Sequence, residues 1–454
     1  MNIVLSLIVT FWVGFLIVKK YKPQPVLFIA GLILMFAAVA LGLGRILPVK
    51  ESTGLVLFDA FEFIKQTFSS RAAGLGLNIM AVGGFARYMD HIGASKALVK
   101  LTIKPLLALR SPYIVMSAAW VVGMLLGLCI NSASGLAMLL MVTMFPVLIS
   151  LGVSRLSATA VIATTLCLDW SPSDTGTILS AVTAGIDPVI YWTNYQIPIA
   201  AVVIPVVAVL HFFVQKWFDK REGHVVQATT FTEAETNEKL PPMIYAILPA
   251  LPLALILIFS SLWISWIKMD IIKAMFIGVA IGMIFEYFRY RDGKKVLADI
   301  QSFFDGLGMQ MANVITLIVA GETFAKGLTT IGTIDAIIAS AQSSGFGAIG
   351  MILVMISIIA ISSVVMGSGN APFFAFAALT PTVAAKMSIA PVVMLLPMHF
   401  AASAARTMSP ITAVIVVASS MGNVSPFDVV KRTAIPMAGA LITLVAANFL
   451  FFYR

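Results

Sequence analysis

The stretch Gly367-Ser368-Gly369-Asn370-Ala371-Pro372 sits inside fifty residues, from Ala336 to Ala385, that carry no Asp, Glu, Lys or Arg. Helix-breaking and hydrogen-bonding residues therefore fall where the surroundings read as hydrocarbon. In a bilayer every backbone polar group must be satisfied within the protein, so an interrupted helix at that depth is tolerated only where it lines a cavity or holds a ligand. A comparable stretch, Asn131-Ser132-Ala133-Ser134-Gly135, occupies the middle of another charge-free run, Ser111 to Ser154.

Composition agrees with that reading. Of 454 residues, 60% are hydrophobic and 11% charged, with a mean hydropathy of +1.01, against about 25% charged in an average globular chain. The fold class is an all-α polytopic membrane protein. The net charge of +9 does not point to nucleic acid: the basic residues mark the ends of apolar runs, as cytoplasmic loops do, and no basic stripe interleaves with aromatics. Cys129 and Cys167 lie in apolar segments without metal-site or disulfide spacing. The first apolar run, Ile3 to Val18, lacks a preceding basic region and a small-residue cleavage site, so it reads as a retained span.

Taken in order, Lys19, Lys20 and Lys22 after that span place the loop in the cytoplasm and the N-terminus outside. A second span covers about Val26 to Leu47. Gly54 to Phe68 carries Asp59, Glu62 and Lys65 among apolar residues and reads as lying on the membrane surface. A third span, about Ala72 to Ala86, precedes a basic stretch with Lys96, Lys100, Lys104 and Arg110. The arms on either side of the 131–135 tip begin and end on one side, which predicts a re-entrant hairpin. Leu156 to Ile186 is apolar except at Asp169-Trp170-Ser171-Pro172-Ser173-Asp174-Thr175-Gly176, where proline removes a donor and the polar side chains would be intolerable against lipid. This predicts a span broken at its midpoint. A span from Tyr191 to Val214 follows, and residues 215–243, rich in both charges, read as a solvated cytoplasmic linker between halves 1–214 and 244–454.

The second half repeats the first. Pro381 follows Pro146 by 235 residues; Ser409-Pro410, Pro426 and Pro436 follow Ser171-Pro172, Pro188 and Pro198 by 238; Phe324-Ala325 and Ile331-Gly332 follow Phe85-Ala86 and Ile92-Gly93 by 239. These offsets superimpose the two polar tips, and set the first broken span on residues 391–424. The loop near 96–110 is basic while its counterpart, 340–350, is uncharged; conversely Arg289, Arg291, Lys294 and Lys295 have a counterpart near 50 with only Lys50 and Glu51. Both halves place their positive loops inside only if one is upside down. The expectation is an inverted-topology repeat of five spans and one hairpin per half, with both termini outside, the plan secondary transporters use to bring discontinuous helices to one midplane site.

Gly367-Ser368-Gly369-Asn370-Ala371-Pro372-Phe373, Arg406-Thr407-Met408-Ser409-Pro410, the run Ser425 to Thr433 and the run Gly84 to Ala94 resemble the anaerobic four-carbon dicarboxylate uptake carriers of the DcuC type, almost end to end. The resemblance implies a bacterial inner-membrane carrier for succinate, fumarate or malate. Through the wider ion transporter superfamily it also implies a homodimer whose hairpins and broken helices move as an elevator past a scaffold, as exchanger or coupled to protons or sodium, without another cofactor. Asp169 and Asp174 depart from the small or apolar residues the resemblance implies there. Two carboxylates would repel a dianion unless protonated, paired or bound to a cation, which leaves another small carboxylate or an amino-dicarboxylate open.

Candidate substrate-binding residues follow from the breaks. Asn131, Ser132, Ser134 and Gly135 in one tip, and Gly367, Ser368, Gly369 and Asn370 in the other, offer hydroxyls, amides and free N–H groups at half-helix N-termini suited to an anion; small residues also serve close packing of helices in lipid. The first break adds Ser171, Pro172 and Ser173. The second adds Arg406, Thr407, Ser409, Pro410 and Thr412. Arg406 is the only Lys or Arg between Lys386 and Lys431, and its planar fork suits a carboxylate. Asp169, Asp174 and Thr175 are coupling-ion candidates, and either Asp could pair with Arg406 instead. His399, about two turns earlier, reads as a hydrogen-bonded core histidine. No metal motif, nucleophile elbow or paired histidines point to an enzyme, and no pore-lining stripe points to an anion channel.

Overall fold

A computed structural model describes residues 2–19, 21–103, 111–224, 241–260, 263–264, 266–333, 336 and 347–453, and among these residues every regular element is helical. Among the described residues six helices are long and apolar enough to cross a membrane: Pro23–Ala40, Pro188–Arg221, Ile271–Tyr290, Gly293–Thr330, Ala348–Met366 and Pro426–Phe452. The protein is a polytopic, all-helical membrane protein.

The chain opens with α1 (Asn2–Val18), α2 (Pro23–Ala40), α3 (Val56–Arg71), α4 (Leu77–His91) and α5 (Ala94–Ile103). A π-helical turn, Ala72–Gly76, joins α3 to α4 without interruption. The stretch expected on the membrane surface therefore runs straight into the expected third span, because nothing between Phe68 and Ala73 breaks a helix. Next come α6 (Pro112–Leu126), α7 (Ala133–Thr143), α8 (Phe145–Ser150), α9 (Arg155–Ala163), α10 (Thr175–Ala184), α11 (Pro188–Tyr191) and α12 (Ile197–Arg221). Prolines open α6 and α11, where a missing N–H removes nothing, and Ser132, Ser154, Asp174 and Asp187 cap α7, α9, α10 and α11 through side-chain oxygens.

The second part contributes α13 (Leu251–Ile258), α14 (Ile271–Tyr290), α15 (Gly293–Asp299), α16 (Gln301–Gln310), α17 (Thr316–Thr330), α18 (Ala348–Met366), α19 (Asn370–Ala377), α20 (Thr380–Lys386), α21 (Pro391–Arg406), α22 (Ala413–Gly422) and α23 (Pro426–Phe452). Another π-helical turn, Met311–Ile315, joins α16 to α17 and packs against Ala72–Gly76.

Packing sorts the helices into two bundles. In the first, α2 lies along α17, α16 along α4, and α14 against α4 and α13. Its closest approach is glycine-mediated: a Cβ on Gly31 would stand 2.5 Å from the Thr323 carbonyl oxygen, and one on Gly327 2.8 Å from that of Gly31. In lipid, where helix association gains little from hydrophobicity, such backbone contact carries the packing. In the second bundle α12 packs on α23 and α6, α18 on α21, α21 on α10, and α22 on α7 and α9. The main bridge between the bundles is α17 against α19, with α5 touching α7 on the other side.

The expected linker is only partly outside the bundle. Helix α12 continues through Arg221, and Arg432 of α23 pairs there with buried Asp219 at 2.5 Å and with Glu222. Ser154 and Ser157 donate to the same Asp219 carboxylate at 2.7 and 2.9 Å, and Tyr113 donates to its other oxygen. A charged side chain in such a position is held by a counter-ion from a distant helix, so residues 215–222 are structure, not solvated tether. Residues 225–240 of that linker, Lys104 and Arg110, and most of the uncharged 340–350 loop lie outside the described residues.

Candidate functional site

The two interrupted helices meet face to face. In the first, α9 ends at Ala163 and α10 starts at Thr175, leaving residues 164–174 outside regular helix. In the second, α21 ends at Arg406 and α22 starts at Ala413. Both breaks are anchored rather than loose. Trp170 donates to the Met124 carbonyl at 3.1 Å, Ser171 to Leu128 at 2.9 Å, and Thr433 to Thr407 at 2.9 Å. The irregular backbone thus finds its partners inside the protein, as hydrocarbon surroundings demand.

The link between the breaks is ionic. Arg406 Nη2 lies 2.7 and 2.8 Å from the two carboxylate oxygens of Asp169, and it donates to the Leu166 carbonyl at 3.0 Å. Asp169 is 6% exposed and holds φ of +48°, a left-handed conformation that an Asp side chain tolerates better than most. That backbone twist turns the carboxylate toward α21, where Ser403 adds a bond of 2.8 Å. Of the two acids that could face Arg406, Asp169 is the one that does.

Asp174 has a different part. It caps α10, accepting from the Gly176 and Thr177 N–H groups at 2.8 and 3.1 Å, and its capping oxygen stands 3.3 Å from His399 Nε2. Gln196 completes the group, donating to Thr177 Oγ1 at 2.9 Å and lying 3.5 Å from His399 Nδ1. Gly176 is required for this approach, because a Cβ there would come within 2.1 Å of His399 Nε2. His399, Ser403 and Arg406 fall at i, i+4 and i+7 on one face of α21 and meet the two acids of the first break. That spacing was the available signal for His399 and Ser403; Gln196 had none, since it reaches the site from a π-helical turn in another helix.

The polar tips flank this junction. Asn131 donates to Ser173 at 3.0 Å and Ser173 shares a bond of 3.0 Å with Ser171, so the first tip rests on the first break. Ser132 caps α7 through the Gly135 N–H at 3.2 Å, and Ser134 lies in the same first turn. At the second tip Gly367 has φ of +64° with Ile411 and Thr412 against its open face, while a Cβ on Gly369 would stand 2.7 Å from the Ala402 carbonyl oxygen and 3.3 Å from Arg406 Cδ. Only glycine permits that approach. Ser368 lies between them, and Asn370, exposed, starts α19. Thr412 donates to the Arg406 carbonyl at 2.5 Å; Pro172 is buried in the first break, Pro410 half-buried in the second, and Thr175 half-buried at the head of α10. The structure therefore brings each tip to its own break, and the breaks to each other through Asp169 and Arg406.

Three polar atoms here are buried without a partner: Arg406 Nε, Asn131 Oδ1 and Ser409 Oγ. Buried polar groups are ordinarily bonded, because desolvating one without compensation costs roughly 1–3 kcal/mol. All three belong to the first tip or to the second break. Among the described residues no group of three or more His, Cys, Asp or Glu is arranged to hold a metal.

Comparison with known proteins shows the family. The sequence matches the family described as "DcuC: C4-dicarboxylate anaerobic carrier" over residues 1–453. The chain belongs to this family. It is 36% identical over 447 residues to a protein of Vibrio cholerae named "Probable anaerobic C4-dicarboxylate transporter DcuC", and 36% identical over 448 residues to the anaerobic C4-dicarboxylate transporter DcuC of Escherichia coli K12. Each alignment covers 98% of this chain and 96% of the relative. Among solved structures, the fold is similar to the YdaH transporter of Alcanivorax borkumensis, with a TM-score of 0.64 at 15% identity over 95% of this chain and 98% of that one. MtrF of Neisseria gonorrhoeae gives 0.62 at 15% identity, covering 95% of each. The family is one of transporters, not enzymes.

Proposed function

We propose that the protein is a secondary active transporter of a C4-dicarboxylate of the succinate, fumarate or malate class, with Arg406 as the residue that holds one substrate carboxylate. The observation that carries this is the Asp169–Arg406 pair at the junction of the two breaks, with Arg406 Nε buried and unpartnered beside it. A guanidinium already engaged by a carboxylate at 2.7 Å is a site whose chemistry fits carboxylates. Asp169 holds it ready, and an incoming carboxylate competes for the same fork. Asn131, Ser409 and the tip N–H groups supply further polar contacts.

The matched π-helical turns at Ala72–Gly76 and Met311–Ile315 start 239 residues apart, the same offset as Phe85-Ala86 and Phe324-Ala325. This supports the inverted repeat, with the stretches around Asn131 and Gly369 as re-entrant tips reaching the midplane from opposite faces. Helix α6, at 15 residues, is too short to cross a hydrocarbon core that needs roughly 20; α18, at 19, is long enough by length alone, so the second hairpin rests on the repeat. The separation into two bundles supports an elevator motion in which α6–α12 and α18–α23 carry the site past α1–α5 and α13–α17. The protein would sit in the bacterial inner membrane with both termini periplasmic, as a homodimer. Asp174 with His399 is the place for a coupling proton, and Asp174 with Thr175 the place for sodium.

Uptake of labelled succinate and fumarate into proteoliposomes tests the reading. Saturable uptake with counterflow is expected, lost in Arg406→Ala; uptake unchanged in that variant removes Arg406 from the site, and flux linear in concentration makes the protein a channel. Repeating the assay with sodium replaced, then with the proton gradient collapsed, identifies the coupling ion.

A further inference from the structure

Between the bundles lies a cavity of about 390 Å³ whose walls come from both of them. One wall is the first bundle: Arg71 at the end of α3, and Glu322 and Lys326 one turn apart on α17. The other is the second bundle: Thr183 near the end of α10, and Phe374 and Leu379 in and after α19. Arg71 Nε donates to Glu322 Oε1 at 2.6 Å. Lys326 rests its ammonium 5.5 Å from the centre of the Phe63 ring and forms no ion pair among the described residues. The charged lining is thus two cations and one anion.

The cavity is connected to the candidate substrate site by the helices that form its far wall. Helix α10 starts at the Asp174 cap and Thr183 lies eight residues past Thr175, about 12 Å along the axis at 1.5 Å per residue. Helix α19 starts at the second tip, and Phe374 is one turn from it. An anion resting against Arg71 and Lys326 therefore faces the back of the tip and the outer half of α10. Both are surfaces that must shift if the site is to open on that side.

We infer that this cavity is an antechamber that gathers the dicarboxylate before it reaches Arg406, with Arg71 and Lys326 as its anion-binding groups. The inference rests on the transport reading above. A net positive, partly enclosed recess concentrates anions, because low-dielectric walls focus the field. Lys326 lies over the Phe63 ring and within the field of Glu51, but has no carboxylate in direct contact among the described residues, so its charge is open to an anion. Glu322 orients Arg71 and, as a carboxylate, competes with the substrate for it, which keeps the stop short enough for the substrate to move on. The bond is the same kind that Asp169 makes to Arg406, so the path presents the substrate with two arginines in succession, each held by an internal carboxylate.

The test exploits opposite signs. Initial rates of fumarate or succinate uptake would be measured in oriented proteoliposomes for wild type, Lys326→Gln, Lys326→Arg and Glu322→Gln, at low and high ionic strength. Lys326→Gln should raise the half-saturation concentration about three- to tenfold at low salt for entry from one face only, with the maximal rate kept, as loss of one steering charge implies. Lys326→Arg should restore it. Glu322→Gln should lower it, since the recess gains positive charge. A purely structural ion pair predicts instead that Glu322→Gln impairs transport or stability, and that result, or an unchanged half-saturation concentration in Lys326→Gln, overturns the antechamber. Absence of saturable dicarboxylate uptake in the wild type would overturn the transport reading itself.

Discussion

Removing charge from the Asp169–Arg406 pair should separate stability from transport. At 2.7 Å and an effective dielectric of about 20, the gross attraction is roughly 6 kcal/mol, most of it offset by desolvating two ions. Truncating one partner is a different matter. In Arg406→Gln, Asp169 loses its counter-ion and retains the Ser403 hydroxyl beside a neutral amide; in Asp169→Asn, the guanidinium loses its counter-ion and retains the Leu166 carbonyl beside a neutral amide. Each leaves an uncompensated buried charge, for which a loss of about 3–5 kcal/mol is expected. The double variant Asp169→Asn/Arg406→Gln removes both charges and leaves two amides able to bond each other, so it should recover at least about 2 kcal/mol relative to either single variant. Thermal midpoints of the detergent-purified protein give stability, and labelled fumarate uptake gives function. The expected outcome is a double variant as well folded as the wild type and inactive. Additive losses would show that the two residues do not form a pair in the folded protein. A double variant that transports normally would remove the pair from the binding chemistry.

Three further outcomes follow from the same geometry. Gly176→Ala puts a methyl group 2.1 Å from His399 Nε2, so transport should fall sharply while the thermal midpoint drops by the equivalent of only about 1–3 kcal/mol; unchanged uptake would take His399 out of the site. His399→Gln should remove the dependence of uptake on an imposed proton gradient if the Asp174–His399 contact carries the coupling proton, and an unaltered dependence would move the proton elsewhere. Arg432→Met strands Asp219, which is fully buried, and should cost about 3–5 kcal/mol; adding Asp219→Asn should return part of it, and no return would mean the cluster is held by something other than that pair.

Much of the candidate site drew notice in the sequence because its residues are out of place chemically. Gly367 to Asn370, Asn131 to Gly135 and Arg406 stand out against long charge-free runs, and only a ligand or an internal partner can stabilise them there. What could not be read is which of Asp169 and Asp174 meets Arg406. Residue 169 adopts a positive φ while Asp174 is taken up capping α10, and an Asp in a polar loop gives no sign of either. The bond from Arg432 to Asp219 was equally hidden, since 213 residues separate the partners and the acid sits in a sequence that otherwise looks like a helix end leading into a loop. The continuous run from α3 into α4 was obscured by Asp59, Glu62 and Lys65. Their charges suggested a boundary, but Ser52 and Thr53 bind Asp59 at the helix start, and Lys65 pairs with Glu62 one turn away.

The carboxylate of Asp169 beside Arg406 has a consequence for the unloaded form of the proposed carrier. If the second bundle moves as proposed, the Asp169–Arg406 pair adds no net charge to it, so the passage without cargo meets no Born barrier from an isolated guanidinium. A carrier of this kind can return empty. Under the proposed mechanism it would accomplish net accumulation as well as one-for-one exchange, and the loaded passage would be the step that feels the membrane potential. Accumulation of labelled fumarate in vesicles that contain no internal dicarboxylate, driven by an imposed potential, is the behaviour this pair predicts, and a strict requirement for internal substrate would refute it.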